Sequence, residues 1–233
     1  MKKRTILLIV AGVLVLLGVL AFIFGPYIYR DLIVGEAVDT PTVTTSSQTE
    51  VNPDEVVTAD SIAGTWSVGM DSYAGYRVNE VLRGVDVTVV GRTSDVAGTI
   101  TVANSELTAA KITVDAKTIT TSESSRDSYF RANVIESNKF PTAVLTLTEP
   151  ISIPATAYES KKINADVKAT INLHGVTKQV TILVEVAYVN GKLQVASSVP
   201  TSWSDYGMTT PSLGFVEVED SGFIEFLVNF EKQ

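Results

Sequence analysis

The chain has 233 residues, of which 45% are hydrophobic and 19% charged, so it can fill a core and carries too little charge for a disordered protein. The absence of cysteine excludes disulfides, thiolate catalysis, cysteine-ligated metals and the lipidated cysteine of a lipoprotein. Lys2, Lys3 and Arg4 supply three of the 18 basic residues, which leaves 15 against 26 acidic ones in the rest of the chain. Such an acidic body disfavours binding to nucleic acid.

The first feature along the chain is an apolar, uncharged run from Ile6 to Phe24. As a helix its 19 residues would span about 28 Å, close to the thickness of a bilayer's hydrocarbon core. The basic residues before it place the N-terminus in the cytoplasm and the rest of the chain outside. We therefore predict that residues 1–30 form the transmembrane anchor of a single-pass bacterial cell-membrane protein.

A cleaved signal peptide is the alternative interpretation of this run. Signal peptides usually have a shorter apolar region, of about 7–15 residues, followed closely by a small-x-small cleavage site. The nearest such site here, Gly35-Glu36-Ala37, lies well beyond the run. If that site were cut, the mature protein would begin near Val38. The length of the run favours an uncleaved anchor.

Residues 31–60 are rich in Ser, Thr, Pro and acidic residues and show no apolar periodicity. Few large apolar side chains are available there to offset the entropy of ordering the backbone. We predict a disordered stalk, which acts as a plain spacer or, alternatively, carries O-linked sugars.

From about Ile62, apolar residues recur at every second position, which indicates strands with one buried and one solvated face. This alternation favours antiparallel pairing. Asn190-Gly191 predicts a type I′ hairpin, and His174-Gly175 predicts a second hairpin connection. One helix is predicted over 123–133, capped by Thr121 or Ser122. The predicted strands are 64–70, 76–82, 86–92, 98–103, 112–116, 143–148, 164–173, 180–188, 192–198 and 224–230.

About ten strands with one helical insertion predict a single all-β domain over 61–233, either a barrel or a sandwich. In a small barrel the inward positions either fill the lumen with side chains or leave room for one ligand. The small residues Ala143, Ala165 and Ala169 fall on inward positions and would leave such room; the alternative is that they allow a helix to pack closely on the barrel. The alternation predicts an apolar interior in both cases, and from the residues alone we favour the filled core.

The sequence offers little for catalysis. His174 is the single histidine, and one histidine in a turn does not make a zinc site or a nucleophile–base pair, so we interpret it as structural. Asp205, Glu217, Glu219 and Asp220 are interpreted as solvated acids, with a hydrolase using Asp205 or Glu217 as the alternative. Nucleotide-binding and nucleophile-elbow motifs are missing. We therefore expect a binding protein that is not an enzyme and uses no metal or cofactor.

Four short motifs occur in a fixed order: Ser-Arg-Asp-Ser-Tyr-Phe-Arg at 125–131, Asn-Lys-Phe-Pro at 138–141, Asn-Leu-His-Gly-Val-Thr-Lys-Gln-Val at 172–180 and Ser-Asp-Tyr-Gly-Met at 204–208. Together they resemble the YceI family, whose members are extracytoplasmic, lipocalin-like β-barrels associated with polyisoprenoid lipids. The resemblance spans approximately residues 60–233. It implies an antiparallel lipocalin-like barrel with a short helical insertion, placed after the transmembrane helix.

The resemblance also implies a function. It favours a hollow barrel that holds a polyisoprenoid or an isoprenoid quinone. The membrane is the second expected partner, and the sequence gives no support for an oligomer. Arg126 and Asp127 are expected either to bind a lipid head group or to anchor the helix. The alternative function is a cell-surface module that binds proteins or glycans through its loops. The expected ligand contacts are Tyr76, Val78, Phe130, Phe140, Leu145, Val167, Ile171 and Phe226.

Overall fold

The structure is a computed structural model that describes residues 3–29, 31, 37–43, 57–82, 84–159 and 162–233. Its first element is helix α1, Lys3–Tyr29. Within the described ranges, this is the helix whose length and composition would let it cross a membrane, over Ile6–Gly25, and none of that span is buried against the protein.

Alternating strands and tight turns make up most of the remaining chain. The other α-helices among the described residues are short: α2 (Ala59–Ile62), α3 (Ser124–Tyr129) and α4 (Ala155–Glu159). The strands are β1 (Gly64–Val68), β2 (Tyr73–Leu82), β3 (Val85–Thr93), β4 (Val96–Ala103), β5 (Glu106–Asp115), β6 (Thr142–Leu147), β7 (Ile151–Ser152), β8 (Lys162–Leu173), β9 (Val176–Val189), β10 (Lys192–Ser202) and β11 (Val216–Lys232).

The sheet closes on itself in the order β1-β4-β5-β6-β8-β9-β10-β11, because β11 pairs again with β1. Trp66 of β1 lies opposite Lys232 on one side and Ile100 on the other, and all of these pairings are antiparallel. The prediction of an antiparallel barrel with a short helical insertion is therefore confirmed.

The long strand β11 pairs with different strands along its length. Its last residues pair with β1, whereas its first residues pair with β2, from Val216 opposite Leu82 onward. The β2–β3 hairpin therefore joins the wall at the end of the barrel where β11 begins. We call this end, which also carries α3, the α3 end.

The turns follow from backbone conformation. Asn190 and Gly191 have φ angles of 51° and 76°, and His174 and Gly175 have 52° and 77°. Two successive positive φ angles define the type I′ turn, whose twist matches that of the flanking strands. Both predicted hairpins are present, joining β9 to β10 and β8 to β9.

The predicted helix is also present, but its start and its second half differ from the prediction. Glu123 is the N-cap, and its side chain accepts a hydrogen bond from the Ser125 N–H at 3.1 Å. The predicted caps Thr121 and Ser122 both precede this N-cap. The Thr121 hydroxyl accepts from the Glu123 N–H at 3.1 Å and donates to Asp127 Oδ1 at 2.7 Å. After α3 the chain continues as a π-helical segment, Phe130–Val134.

Part of the predicted stalk is packed on the outside of the barrel, in contrast to the expected disorder. We call residues 37–43 the strap. Val43 is 3% exposed and lies in an apolar cluster with Ala187 and Ala196, against Val189 and Leu227. The end of the predicted stalk also forms the start of α2. Residues 32–36 and 44–56 lie outside the described residues.

Two arginines that are paired with a buried carboxylate hold the first part of the strap. The Glu225 side chain has no solvent exposure, and its Oε1 accepts from Arg77 Nε at 2.6 Å while Oε2 lies 3.5 Å from Arg92 Nη2. The same two guanidinium groups donate to the backbone carbonyls of Val38 at 2.7 Å and Asp39 at 2.8 Å. Charged hydrogen bonds therefore fasten the strap across β2 and β3.

Candidate functional site: an apolar cavity inside the barrel

The barrel encloses a cavity of about 920 Å³. Two apolar clusters surround it, one around Val167, Ile171 and Trp203 and one around Trp66 and Phe230. The inward positions of the alternating strands supply most of the lining, because successive side chains of a strand point to opposite faces. A volume of this size is within the range of small-molecule and cofactor sites.

Most of the residues predicted as ligand contacts border this cavity. Ala143 and Ala165 border it too, and their small side chains leave the lumen wide at those points, whereas Ala169 is not among the bordering residues. The predicted contacts that border the cavity are Tyr76, Val78, Phe130, Leu145, Val167, Ile171 and Phe226.

Phe140 is the exception, and the structure places it outside the cavity. Its ring lies 4.4 Å from the ring of His174, between centroids, in an edge-on arrangement. It also covers Gly175, where an added Cβ would come within 2.6 Å of the Phe140 ring. Phe140 thus packs on the β8–β9 hairpin, outside the lumen.

Polar groups border the cavity mainly at the α3 end. Among the described residues, the charged side chains on its border are Glu80, Glu123 and Arg126. Arg126 Nη2 lies 3.0 Å from Glu80 Oε1, and both side chains are largely buried. Burial raises the pKa of the nearby Tyr76 hydroxyl, which keeps it neutral. Glu80 was not anticipated from the sequence, where it falls within an ordinary strand pattern.

The two members of the Arg126-Asp127 pair have different positions. Arg126 borders the cavity, whereas Asp127 does not and is 5% exposed. Asp127 Oδ1 accepts hydrogen bonds from the backbone N–H of Thr121 at 2.9 Å and from its hydroxyl at 2.7 Å. Asp127 thus ties α3 to the segment that precedes it.

We expect that Asp127→Ala lowers the free energy of unfolding by about 2 kcal/mol, the usual contribution of hydrogen bonds to a charged group. Urea denaturation checks this. Asp127→Asn is the matched control, because its amide oxygen can still accept from Thr121, and it should lose less. A variant of normal stability that no longer binds lipid would instead identify Asp127 as a head-group contact.

His174 lies in a structural arrangement. Its Nδ1 is 3.1 Å from the Tyr206 carbonyl oxygen and its Nε2 is 3.2 Å from Glu136 Oε2. The hydrogen bonds from Lys139 and His174 lower the pKa of the Glu136 carboxyl. The β8–β9 hairpin is thereby joined to the motif at 204–208 and to Glu136, which precedes the motif at 138–141.

The carboxylates considered for hydrolysis do not border the cavity. Asp205 is exposed and lies 3.0 Å from Lys178 Nζ, and Glu217 is exposed on β11. Asp220 accepts hydrogen bonds from Ser202 and Ser204, which lower its pKa and hold the 3-10 turn Trp203–Tyr206. Over the described residues, no group of three His, Asp or Glu side chains is arranged to hold a metal.

Comparison with known proteins agrees with this architecture. A polyisoprenoid-binding domain from Saccharophagus degradans, implicated in plant cell wall breakdown, superposes with a TM-score of 0.58 at 17% identity, covering 73% of this chain and 99% of that one. BcnA from Burkholderia cenocepacia gives a TM-score of 0.52 at 16% identity, covering 66% and 95%. At these identities the likeness shows the fold. No curated protein sequence matches the chain.

The sequence profile of the YceI-like domain matches residues 66–230, from β1 to the end of β11. The match includes all four motifs, the strands of the closed ring and the residues that line the cavity, apart from Gly25, Val57 and Ile62. This chain therefore belongs to the YceI-like domain family.

Proposed function

We propose that this protein is a membrane-anchored, extracytoplasmic lipid-binding protein that sequesters or carries a polyisoprenoid or an isoprenoid quinone. The observation that carries the proposal is the apolar cavity of about 920 Å³, with its charged border at the α3 end. Membership of the YceI-like family supports a lipid ligand, since a solved relative is a polyisoprenoid-binding domain. The chemistry required is binding, with no catalytic step.

The cavity suits a hydrocarbon chain better than water. Its volume corresponds to about 30 water molecules at liquid density. Water in that space would find few hydrogen-bond partners, because valine, isoleucine, leucine and phenylalanine dominate the lining. A tail entering from water would gain about 0.8 kcal/mol for each buried methylene. Transfer from a bilayer is nearly neutral, because both environments are apolar.

The charged border suits a polar head group. Arg126 and Glu80 together offer donors and acceptors beside an apolar lumen. A head group placed there would be oriented by hydrogen bonds while its tail lies among Val167, Ile171 and Phe226. This arrangement of a few polar groups in a largely apolar site is typical of ligand pockets.

Helix α1 supports the membrane anchor. Its apolar span Ile6–Gly25 is long enough for a bilayer, and the basic residues before it favour a cytoplasmic N-terminus. The barrel would then lie on the extracytoplasmic side, and the anchor would raise its effective concentration near membrane lipids.

A soluble form that begins at residue 37 keeps the strap and the whole barrel and tests the cargo directly. We expect organic extraction of this protein, followed by mass spectrometry, to yield an isoprenoid lipid, and the delipidated protein to take up an added isoprenoid quinone. A sample without lipid that takes up none would contradict the proposal.

A further inference from the structure

The segment Gly207–Val216, which we call the mouth loop, contains no charged residue. Two of its large apolar side chains are exposed, Leu213 by 48% and Phe215 by 54%. Both also border the cavity, as does Tyr129 of α3, which is 39% exposed. Exposed apolar side chains clustered at a cavity mark an interaction surface.

Hydrogen bonds fix the shape of the mouth loop. The Leu213 N–H donates to the Val216 carbonyl at 2.8 Å, and the Val218 N–H donates to the Pro211 carbonyl at 3.0 Å. Met208, near the base of the loop, is buried in the core. An ordered turn therefore holds Leu213 and Phe215 out of the core.

The strap limits how far the end of α1 can lie from the barrel wall. The Val38 carbonyl is bound by Arg77, and residues 30–37 connect it to Tyr29. That connection reaches at most about 30 Å when fully extended. Along β2, Arg77 lies about 17 Å from Leu82, which borders the cavity at the α3 end.

We propose that the mouth loop inserts Leu213 and Phe215 into the surface of the bilayer that holds α1, so that a lipid tail passes between bilayer and cavity without crossing water. This inference rests on the proposed function. A bilayer is the occupant because the exposed side chains lead into an apolar cavity and the chain's own apolar helix ends within reach; Gly25 of α1 also borders the cavity. A loop without charges enters that surface without desolvating an ion.

The absence of cysteine allows a single label at a chosen site. Ser212→Cys places a nitrobenzoxadiazole fluorophore in the mouth loop, and Lys192→Cys places it at the opposite end of the barrel, where β10 begins. Both full-length variants are reconstituted in phosphatidylcholine vesicles that contain nitroxide-labelled phosphatidylcholine. We expect at least fivefold stronger quenching at 212 than at 192. Equal quenching at the two sites would overturn the proposal.

A second experiment measures transfer. In the full chain, Leu213→Ser combined with Phe215→Ser should slow uptake of an isoprenoid quinone from vesicles about tenfold, a change of about 1.4 kcal/mol in the barrier. Circular dichroism checks that the variant is folded. An unchanged rate would overturn the role of the mouth loop. If the unmodified protein takes up no quinone, the proposed function fails, whereas the quenching result is independent of the cargo.

Discussion

Replacing Ala143 and Ala165 by Trp is expected to abolish lipid binding in a barrel that still folds. Both alanines border the cavity, from β6 and from β8. Two indole rings would occupy space that a tail requires, so we expect affinity for an isoprenoid quinone to fall at least about 100-fold, or about 2.7 kcal/mol. The lumen has room for the rings, so the free energy of unfolding should change by less than about 1 kcal/mol.

The neighbouring outward positions provide the matched control. Thr142 and Asp166 are exposed and adjacent to the two alanines on the same strands. Thr142→Trp combined with Asp166→Trp adds the same side chains to the outer face and should leave binding unchanged. Fluorescence titration and urea denaturation of all three proteins give both quantities. Unchanged affinity in the Ala143→Trp, Ala165→Trp protein would mean that the lipid binds elsewhere.

Glu225→Ala is expected to destabilise the protein more than any surface substitution. The Glu225 side chain is fully buried against Arg77 and Arg92. Its removal leaves two guanidinium groups without their anion, and breaking a buried ion pair in this way costs about 3–5 kcal/mol. The strap should loosen as well, because Val38 and Asp39 bind the same two arginines. Urea denaturation measures the loss, and hydrogen exchange of residues 37–43 measures the release of the strap.

Glu231→Ala is the control for this experiment. Glu231 lies 2.6 Å from Lys192, and both side chains are 47% exposed. Ion pairs of this kind contribute at most about 1 kcal/mol. A loss from Glu225→Ala as small as that from Glu231→Ala would show that the buried cluster contributes no net stability.

Strand alternation predicted the inner wall well. It placed Ala165, Val167 and Ile171 on one face of a single strand, and all three border the cavity. It did not predict whether the interior is hollow, because a filled and an empty lumen need the same pattern. That property depends on the number of strands that close the ring, which the alternation within a strand does not give.

The motifs predicted less of the cavity than of the architecture around it. Phe130 and Arg126 border the cavity, whereas Asp127, Phe140 and His174 join elements at the α3 end. The direction of each side chain depends on tertiary packing, which a motif does not encode. The four motifs therefore identified the residues at the α3 end of the barrel, and they did not identify most of the cavity lining.

The strap was missed because its sequence has no period and its contacts are distant in the chain. Val43 hydrogen-bonds Glu185, 142 positions away. A signal was nevertheless present, because Leu227 interrupts the alternation of β11. It packs on the outside against Val43 and Ala196. Glu225, in contrast, occupies a position that the alternation of β11 assigns to the solvated face, so its burial could not be predicted.

The strap has a mechanical consequence. The chain enters the barrel at β1, which closes the ring between β4 and β11. A force applied directly to Gly64 would peel that strand away and unzip the cylinder. Tension arriving from α1 meets Val38 first and is transmitted sideways through Arg77 into β2. The pairing of β1 with β4 and β11, which closes the ring, thereby bears less of the force.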